Sequence, residues 1–187
     1  MRGRSWVIGA LGAAIGAVAA EGLDRLGQAT GVLSPPLPGW ASTCFTPPED
    51  CTALIRGEIA SAGRQVLVQA YSFTSEPIAE ALVAARRRGV EVRVLLDGDS
   101  ATGPNSVLAS LRRGGVPVLL DDPPGIAHNK VMVIDGTRVI TGSFNFTRAA
   151  EDRNAENLLI LRDPAIAAAY LANWERRRAV STPAAPR

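Results

Sequence analysis

The chain has one histidine, His128, standing two residues before Lys130 where a loop runs into an apolar segment. An imidazole can attack an electrophile or carry a proton, and an ammonium beside it can hold an anion. In an extended segment successive side chains alternate between faces, so His128 and Lys130 point the same way. The same alternation in Gly142-Ser143-Phe144-Asn145 puts Ser143 and Asn145 on one face and packs Phe144 on the other. A nitrogen nucleophile, a cation, a hydroxyl and a carboxamide meeting at the ends of paired strands suit a phosphate ester. Nitrogen attacks phosphorus, and three donors hold the charge that develops on its oxygens. Taken singly, each residue has an ordinary explanation: a surface or core histidine, a strand-edge lysine, a serine or asparagine in a turn. Their joint spacing is what points to chemistry.

His128-x-Lys130, four residues, Asp135, six residues and Gly142-Ser143-x-Asn145 together resemble the signature of the phospholipase D superfamily at every fixed position. Ala70-Tyr71-Ser72-Phe73-Thr74 and Gly142-Ser143-Phe144-Asn145-Phe146-Thr147 are most similar to the small bacterial endonuclease with a single motif, and the resemblance runs from about Cys44 to Arg178. It implies a phosphodiesterase that uses no metal and no cofactor. In such enzymes the histidine attacks phosphorus to form a covalent phosphohistidine, and a second histidine protonates the leaving oxygen and then activates water. The resemblance further implies that Lys130, Ser143 and Asn145 bind phosphate oxygens, and that Glu156, in Asn154-Ala155-Glu156-Asn157, orients the histidine ring. One imidazole cannot attack from one side and protonate on the opposite side, so a homodimer is expected, with the second His128 supplied across a twofold interface. Asp135 and Gly142 are structural positions of the motif. The hairpin turn holds Asp135 a full strand away from His128.

Arg148 and Arg153 follow the motif and are candidates for contacting a polyanionic backbone. Tyr71 and Phe73, at a strand end, are candidates for stacking on bases, with core packing as the competing role for at least one of them. Arg86, Arg87 and Arg88 end a helix, where cations offset the dipole, and Arg176, Arg177 and Arg178 either contact substrate or solvate the last helix. The expected activity is hydrolysis of nucleic acid, DNA or RNA, with little sequence preference. The alternative substrate is phospholipid, with release of a head group, and the rival from another class is a catalytically silent module that docks on nucleic acid or anionic lipid. A narrow basic groove would favour nucleic acid and an apolar rim would favour lipid. The net charge of +2 permits a phosphate-bearing partner without demanding one. The stiff loop Asp122-Pro123-Pro124-Gly125 shapes the entrance just before the motif.

The elements that must position these groups follow from periodicity. A length of 187 residues with 47% hydrophobic content suits one domain with an ordinary core. The pattern predicts a helix over Glu49 to Ala62, a strand Gln65 to Ser72 and a helix Pro77 to Arg88 that Ser75 caps and Gly89 ends. It continues with a strand Val90 to Leu96, a helix Asn105 to Arg113 and a strand Val116 to Leu120. Strands Lys130 to Ile134 and Arg138 to Thr141 flank Asp135-Gly136, a hairpin signal. A strand Asn157 to Leu161 and a helix from Asp163-Pro164 to about Arg178 close the pattern. Continuous apolar strands between amphipathic helices predict an α/β domain, a mixed sheet covered by helices on both faces. This is the phospholipase D/nuclease-like class.

At the N-terminus, Arg2 and Arg4 precede an almost uncharged run from Trp6 to Ala20 that ends in small residues. That layout predicts a signal peptide over residues 1–26, or a retained membrane anchor, and hence an exported (periplasmic or secreted) or tethered protein. A proline- and glycine-rich linker is expected over 27–43, the catalytic domain over 44–180 and a disordered tail over 181–187. In an exported chain Cys44 and Cys51 are expected to form a disulfide. They have no neighbouring histidine with which to build a zinc site.

Overall fold

Eight strands hydrogen-bond into one mixed sheet in the order β1-β7-β6-β5-β2-β3-β4-β8. The computed structural model describes residues 39–184; the expected signal peptide or anchor, most of the linker and residues 185–187 lie outside them. β2 (Gln65–Ala70), β3 (Glu91–Asp97) and β4 (Val118–Asp121) run parallel, joined by crossovers. β5 (Lys130–Ile134) pairs antiparallel with β2, and β6 (Arg138–Gly142) and β7 (Glu156–Leu161) continue as a meander. The β5–β6 turn falls where expected, with three residues between the paired Ile134 and Arg138: Asp135 and Gly136 take φ of 54° and 69°, and Thr137 N donates to Ile134 O.

Helices cover both faces, as the pattern predicts. On one side α1 (Cys51–Ala60) and α2 (Glu76–Arg87) pack Ile55, Ile59, Ile78 and Leu82 over Val68, Val94, Met132 and Ile140. The short helices α3 (Gly98–Ala101), α4 (Leu108–Arg113) and α5 (Arg148–Asp152) extend that layer through Ala101, Leu111 and Ala150. On the other side α6 (Pro164–Arg178) sets Ala167 and Trp174 over Leu67, Leu95, Val131, Val133 and Val139. The Trp174 indole N–H donates to Val68 O at 3.1 Å, satisfying the one polar atom of a fully buried side chain. Among the described residues no helix is long and apolar enough to cross a membrane.

The boundaries need four corrections. β1 (Ala41–Thr46) begins inside the expected linker and before the expected domain start, because it forms the sheet edge against β7, with Ala41 opposite Leu161 and Thr46 opposite Glu156. β8 (Thr182–Pro183) lies in the expected disordered tail, yet it pairs with Leu119 and Leu120 and covers the other edge. The α4 helix starts at Leu108 rather than Asn105, since Asn105 has a φ of 65° and cannot begin a right-handed helix. The small helices α3 and α5 were not expected. Cys44 and Cys51 are bridged, with Cα atoms 5.7 Å apart, tying β1 to the start of α1.

Candidate active site

The parallel strands end, β5 and β7 begin, and β6 ends at the same edge of the sheet, where the chemistry-bearing residues gather. The carboxyl edge of parallel strands is where open α/β sheets usually bind ligands. His128 is exposed in the last turn of the loop before β5. Its ring rests against Tyr71, which follows β2, with centroids 4.7 Å apart and planes inclined by 56°. Lys130, the first residue of β5, is only 7% exposed. Its Nζ donates to His128 O at 2.7 Å and lies 5.2 Å from the centre of the Tyr71 ring. Burial pushes the Lys130 ammonium below the usual lysine range, and the negative charge of Glu156 partly opposes that. The cation is thus held half-desolvated beside the nucleophile candidate, where its field on a phosphate is stronger than in water.

Gly142 makes the other wall possible. Its φ of 151° is rarely open to other residues, and a Cβ there would lie 2.2 Å from Asn157 O. The close approach lets Ser143 N and Phe144 N both donate to that oxygen, at 3.1 and 3.2 Å. Phe144 is buried while Ser143 is exposed, the alternation that the sequence predicts. Asn145 is half-buried, and its Oδ1 is a buried acceptor with no donor among the described residues. Such an atom calls for a ligand, a water, or an amide turned so that its NH2 group faces an incoming oxygen.

Ser143 and Glu156 differ from what the resemblance implies. The Ser143 hydroxyl donates to Glu156 Oε2 at 2.6 Å and accepts from Asn157 N at 3.0 Å, so its proton is directed at a carboxylate rather than into the phosphate site. Glu156 Oε1 accepts from Asn154 Nδ2 at 2.9 Å. Within one chain Glu156 therefore holds Ser143 and Asn154 and offsets the charge of Lys130, while the side chain shown against the His128 ring is that of Tyr71. Asn154 was missed by sequence reasoning, although its spacing of two from Glu156 at a strand start was the available signal.

The remaining candidates separate. Phe73 is buried edge-on against Phe146, 5.6 Å between centroids, so of the two roles expected for it, stacking on substrate and core packing, the structure shows core packing. Tyr71 is half-buried and stays at the site. Arg153 is exposed just past α5. Arg148 is 89% exposed, but it pairs with Asp152 at 2.9 Å on the rim of a groove of about 770 Å3 that Asp50, Glu76 and Glu151 also line. Carboxylates outnumber it there, so this wall repels a polyanion. Asp135 lies at the far end of β5, where its carboxylate accepts from the backbone N–H groups of Gly63, Arg64 and Gln65. Among the described residues no group of three or more His, Cys, Asp or Glu side chains is placed to hold a metal ion.

Comparison with known proteins places this geometry. The family model for the cardiolipin synthase, PLD-like domain matches residues 55–178. A phospholipase D of Rickettsia conorii is 49% identical over 138 residues, covering 74% of this chain and 69% of the relative. A mitochondrial cardiolipin hydrolase of Xenopus laevis is 40% identical over 119 residues, covering 64% of this chain and 57% of the relative. Among solved structures, the phospholipase D family member Nuc from Salmonella typhimurium superposes with a TM-score of 0.74 at 36% identity, covering 78% of this chain and 98% of Nuc. NucT from Helicobacter pylori superposes with a TM-score of 0.70 at 26% identity, covering 76% of this chain and 98% of NucT.

Proposed function

The chain belongs to the phospholipase D superfamily and is a phosphodiesterase, and from that premise we propose that it hydrolyses phospholipid through a phosphohistidine on His128, in a site that two copies complete. The observation that carries this reading is the grouping at one sheet edge of an exposed imidazole, a buried ammonium and a half-buried carboxamide with an unpartnered acceptor. In the first step a His128 ring nitrogen forms a bond to phosphorus and the bond to the leaving oxygen breaks. The protonated His128 of the second copy delivers a proton to that oxygen. Lys130 and Asn145 hold the non-bridging oxygens as negative charge builds on them. In the second step the now neutral imidazole of the second copy takes a proton from water, the resulting hydroxide attacks phosphorus, and the nitrogen–phosphorus bond breaks. The phosphate monoester leaves and both imidazoles return to their starting states.

Two features put phospholipid ahead of nucleic acid, reversing the order expected from the sequence. Ile126, two residues before His128, is 53% exposed, and Phe45, one strand position from the partner of Glu156, is 48% exposed, so the rim is apolar in part. The groove beside Arg148 is acidic, which disfavours a strand of phosphates. Relatives named phospholipase D and cardiolipin hydrolase agree with that order. Nucleic acid remains the second reading, favoured by the exposed Arg153 and by the Tyr71 ring at the site. Export is part of the proposal, in keeping with the Cys44–Cys51 bridge.

The test incubates the protein in chelator with phosphatidylcholine or cardiolipin vesicles and, separately, with labelled single- and double-stranded DNA and RNA, beside His128→Ala. Head-group release that the variant lacks, with an acid-labile phosphoryl group trapped on His128, is the expected result. Nucleic-acid cleavage without lipid turnover would install the second reading. A folded protein inert on every substrate would leave only the binding module.

A further inference from the structure

A buried carboxylate that the two-step reaction does not use sits behind the loop of the nucleophile. Asp97 closes β3 and is 3% exposed. Its Oδ1 accepts from Ser100 N at 2.9 Å, capping α3, and its Oδ2 accepts from Ala127 N at 2.9 Å. Ala127 is buried and directly precedes His128. On the other side of the histidine, Asn129 O accepts from Tyr71 N at 2.9 Å. The imidazole therefore hangs from a span pinned at both ends, upstream to β3 and downstream to the end of β2. Within the loop, Gly125 N donates to Pro123 O and His128 N to Ile126 O, local bonds that set no position relative to the sheet, while Lys130 Nζ reaches His128 O from the start of β5.

The carboxylate suits this task better than a neutral side chain. Two backbone donors approach two different oxygens, and a carboxylate offers both where an amide or a hydroxyl side chain offers one. The neighbour of Asp97 across the parallel pair is Asp121, whose charge Arg177 meets with Nε at 3.0 Å, so the two buried acids do not confront each other uncompensated. A nucleophile must approach phosphorus along the line of the departing bond, and a displacement of about 1 Å at the reacting atom is enough to slow such a step about 100-fold.

We infer that Asp97 is a positioning residue for His128, holding through the Ala127 amide the loop that aims the imidazole. The inference rests on His128 being the nucleophile, but its test has an arm that does not. Asp97→Ser keeps an oxygen able to cap α3 through Ser100 N and lacks a second one for Ala127. Asp97→Asn keeps the side-chain volume and turns an NH2 group toward one of the two amides. Both variants should lower kcat about 100-fold with KM little changed. Because His128 is the only histidine, its imidazole gives one set of NMR signals, shifted in the wild type by the Tyr71 ring 4.7 Å away. In the variants those signals should lose the ring-current shift and broaden, and the Ala127 amide should exchange faster with solvent. If Asp97→Ser does not fold, Asp97→Asn carries the test. Signals and kcat that stay at wild-type values while the melting temperature falls would overturn the inference, leaving Asp97 a cap for α3. If the wild type turns over no phosphodiester, the reading of His128 fails, and the NMR arm still decides what Asp97 holds.

Discussion

Replacing Asp135 should damage the fold and spare the chemistry, although Asp135 stands in the same signature as His128 and Lys130. Its carboxylate accepts from Gly63 N at 3.1 Å, Arg64 N at 2.8 Å and Gln65 N at 2.9 Å, and pairs with Arg138 at 3.0 Å. It thereby fastens the β5–β6 turn to the start of β2. Asn fits the φ of 54° and keeps one acceptor, losing the contacts of the second oxygen; at about 1 kcal/mol for each lost bond, the loss is about 2 kcal/mol. Ala loses all four of these bonds and adds about 1 kcal/mol of left-handed strain, for a total of about 5 kcal/mol. In a domain of this size about 3 °C of melting temperature accompanies each kcal/mol, so Asp135→Asn should melt about 6 °C lower. His128 is seven residues away along an extended strand, about 23 Å, so kcat measured well below the melting temperature should not change. Acid gives a second check. Burial pushes the Asp135 carboxyl up, but hydrogen bonds from Gln65, Gly63, Arg64 and Arg138 outweigh it, and the folded carboxyl sits below the usual range. Its contribution is therefore present above the pKa of the unfolded carboxyl and is lost as pH falls through the folded value. The stability gap between wild type and Asp135→Asn should be constant near neutrality and close below about pH 4. Urea unfolding against pH, beside kcat at each temperature, measures both. A variant that keeps its stability and loses kcat would refute the reasoning.

Glu156→Gln removes the charge that props up the Lys130 ammonium, so the alkaline limb of the pH–rate profile should move to lower pH; a limb that stays in place would separate the two residues. Gly142→Ala forces a Cβ to within 2.2 Å of Asn157 O and should destabilise by about 3 kcal/mol in urea unfolding, with the Ser143–Asn145 wall disordered first. Reducing the Cys44–Cys51 bridge, which spans a sequence separation of 7, should lower the unfolding free energy by about 2.5 kcal/mol on loop-closure grounds, read from urea curves with and without reductant.

The parts of the fold written in local chemistry were legible. Asp135-Gly136 announces a turn because both residues tolerate positive φ, and the apolar runs of β2, β3 and β5 announce buried strands. What escaped depends on distant partners. β1 is short and bounded by glycine and proline, and it is a strand only because β7, at the other end of the chain, lies beside it. Thr182–Pro183 orders for the same reason against β4. At the site, spacing was enough to bring His128, Lys130, Asn145 and Glu156 to one edge. It was silent on which acceptor takes which proton: Ser143 is claimed by Glu156, and Asp97 reaches an amide 30 residues further on. Phe73 and Phe146 close on each other behind the site, which alternation along one strand does not reveal.

On the proposed mechanism, one imidazole per chain, exposed at the lip of the sheet, would make the working unit a pair of chains. On the two-copy reading, specific activity should fall on dilution as the pairs separate. Inheritance changes too. In a cell making intact and His128→Ala chains in equal amounts, random pairing leaves about a quarter of the dimers with both imidazoles. A single damaged gene copy would then suppress the product of the healthy one, and the locus would show dominance where an enzyme with both histidines in one chain would show only a halved dose.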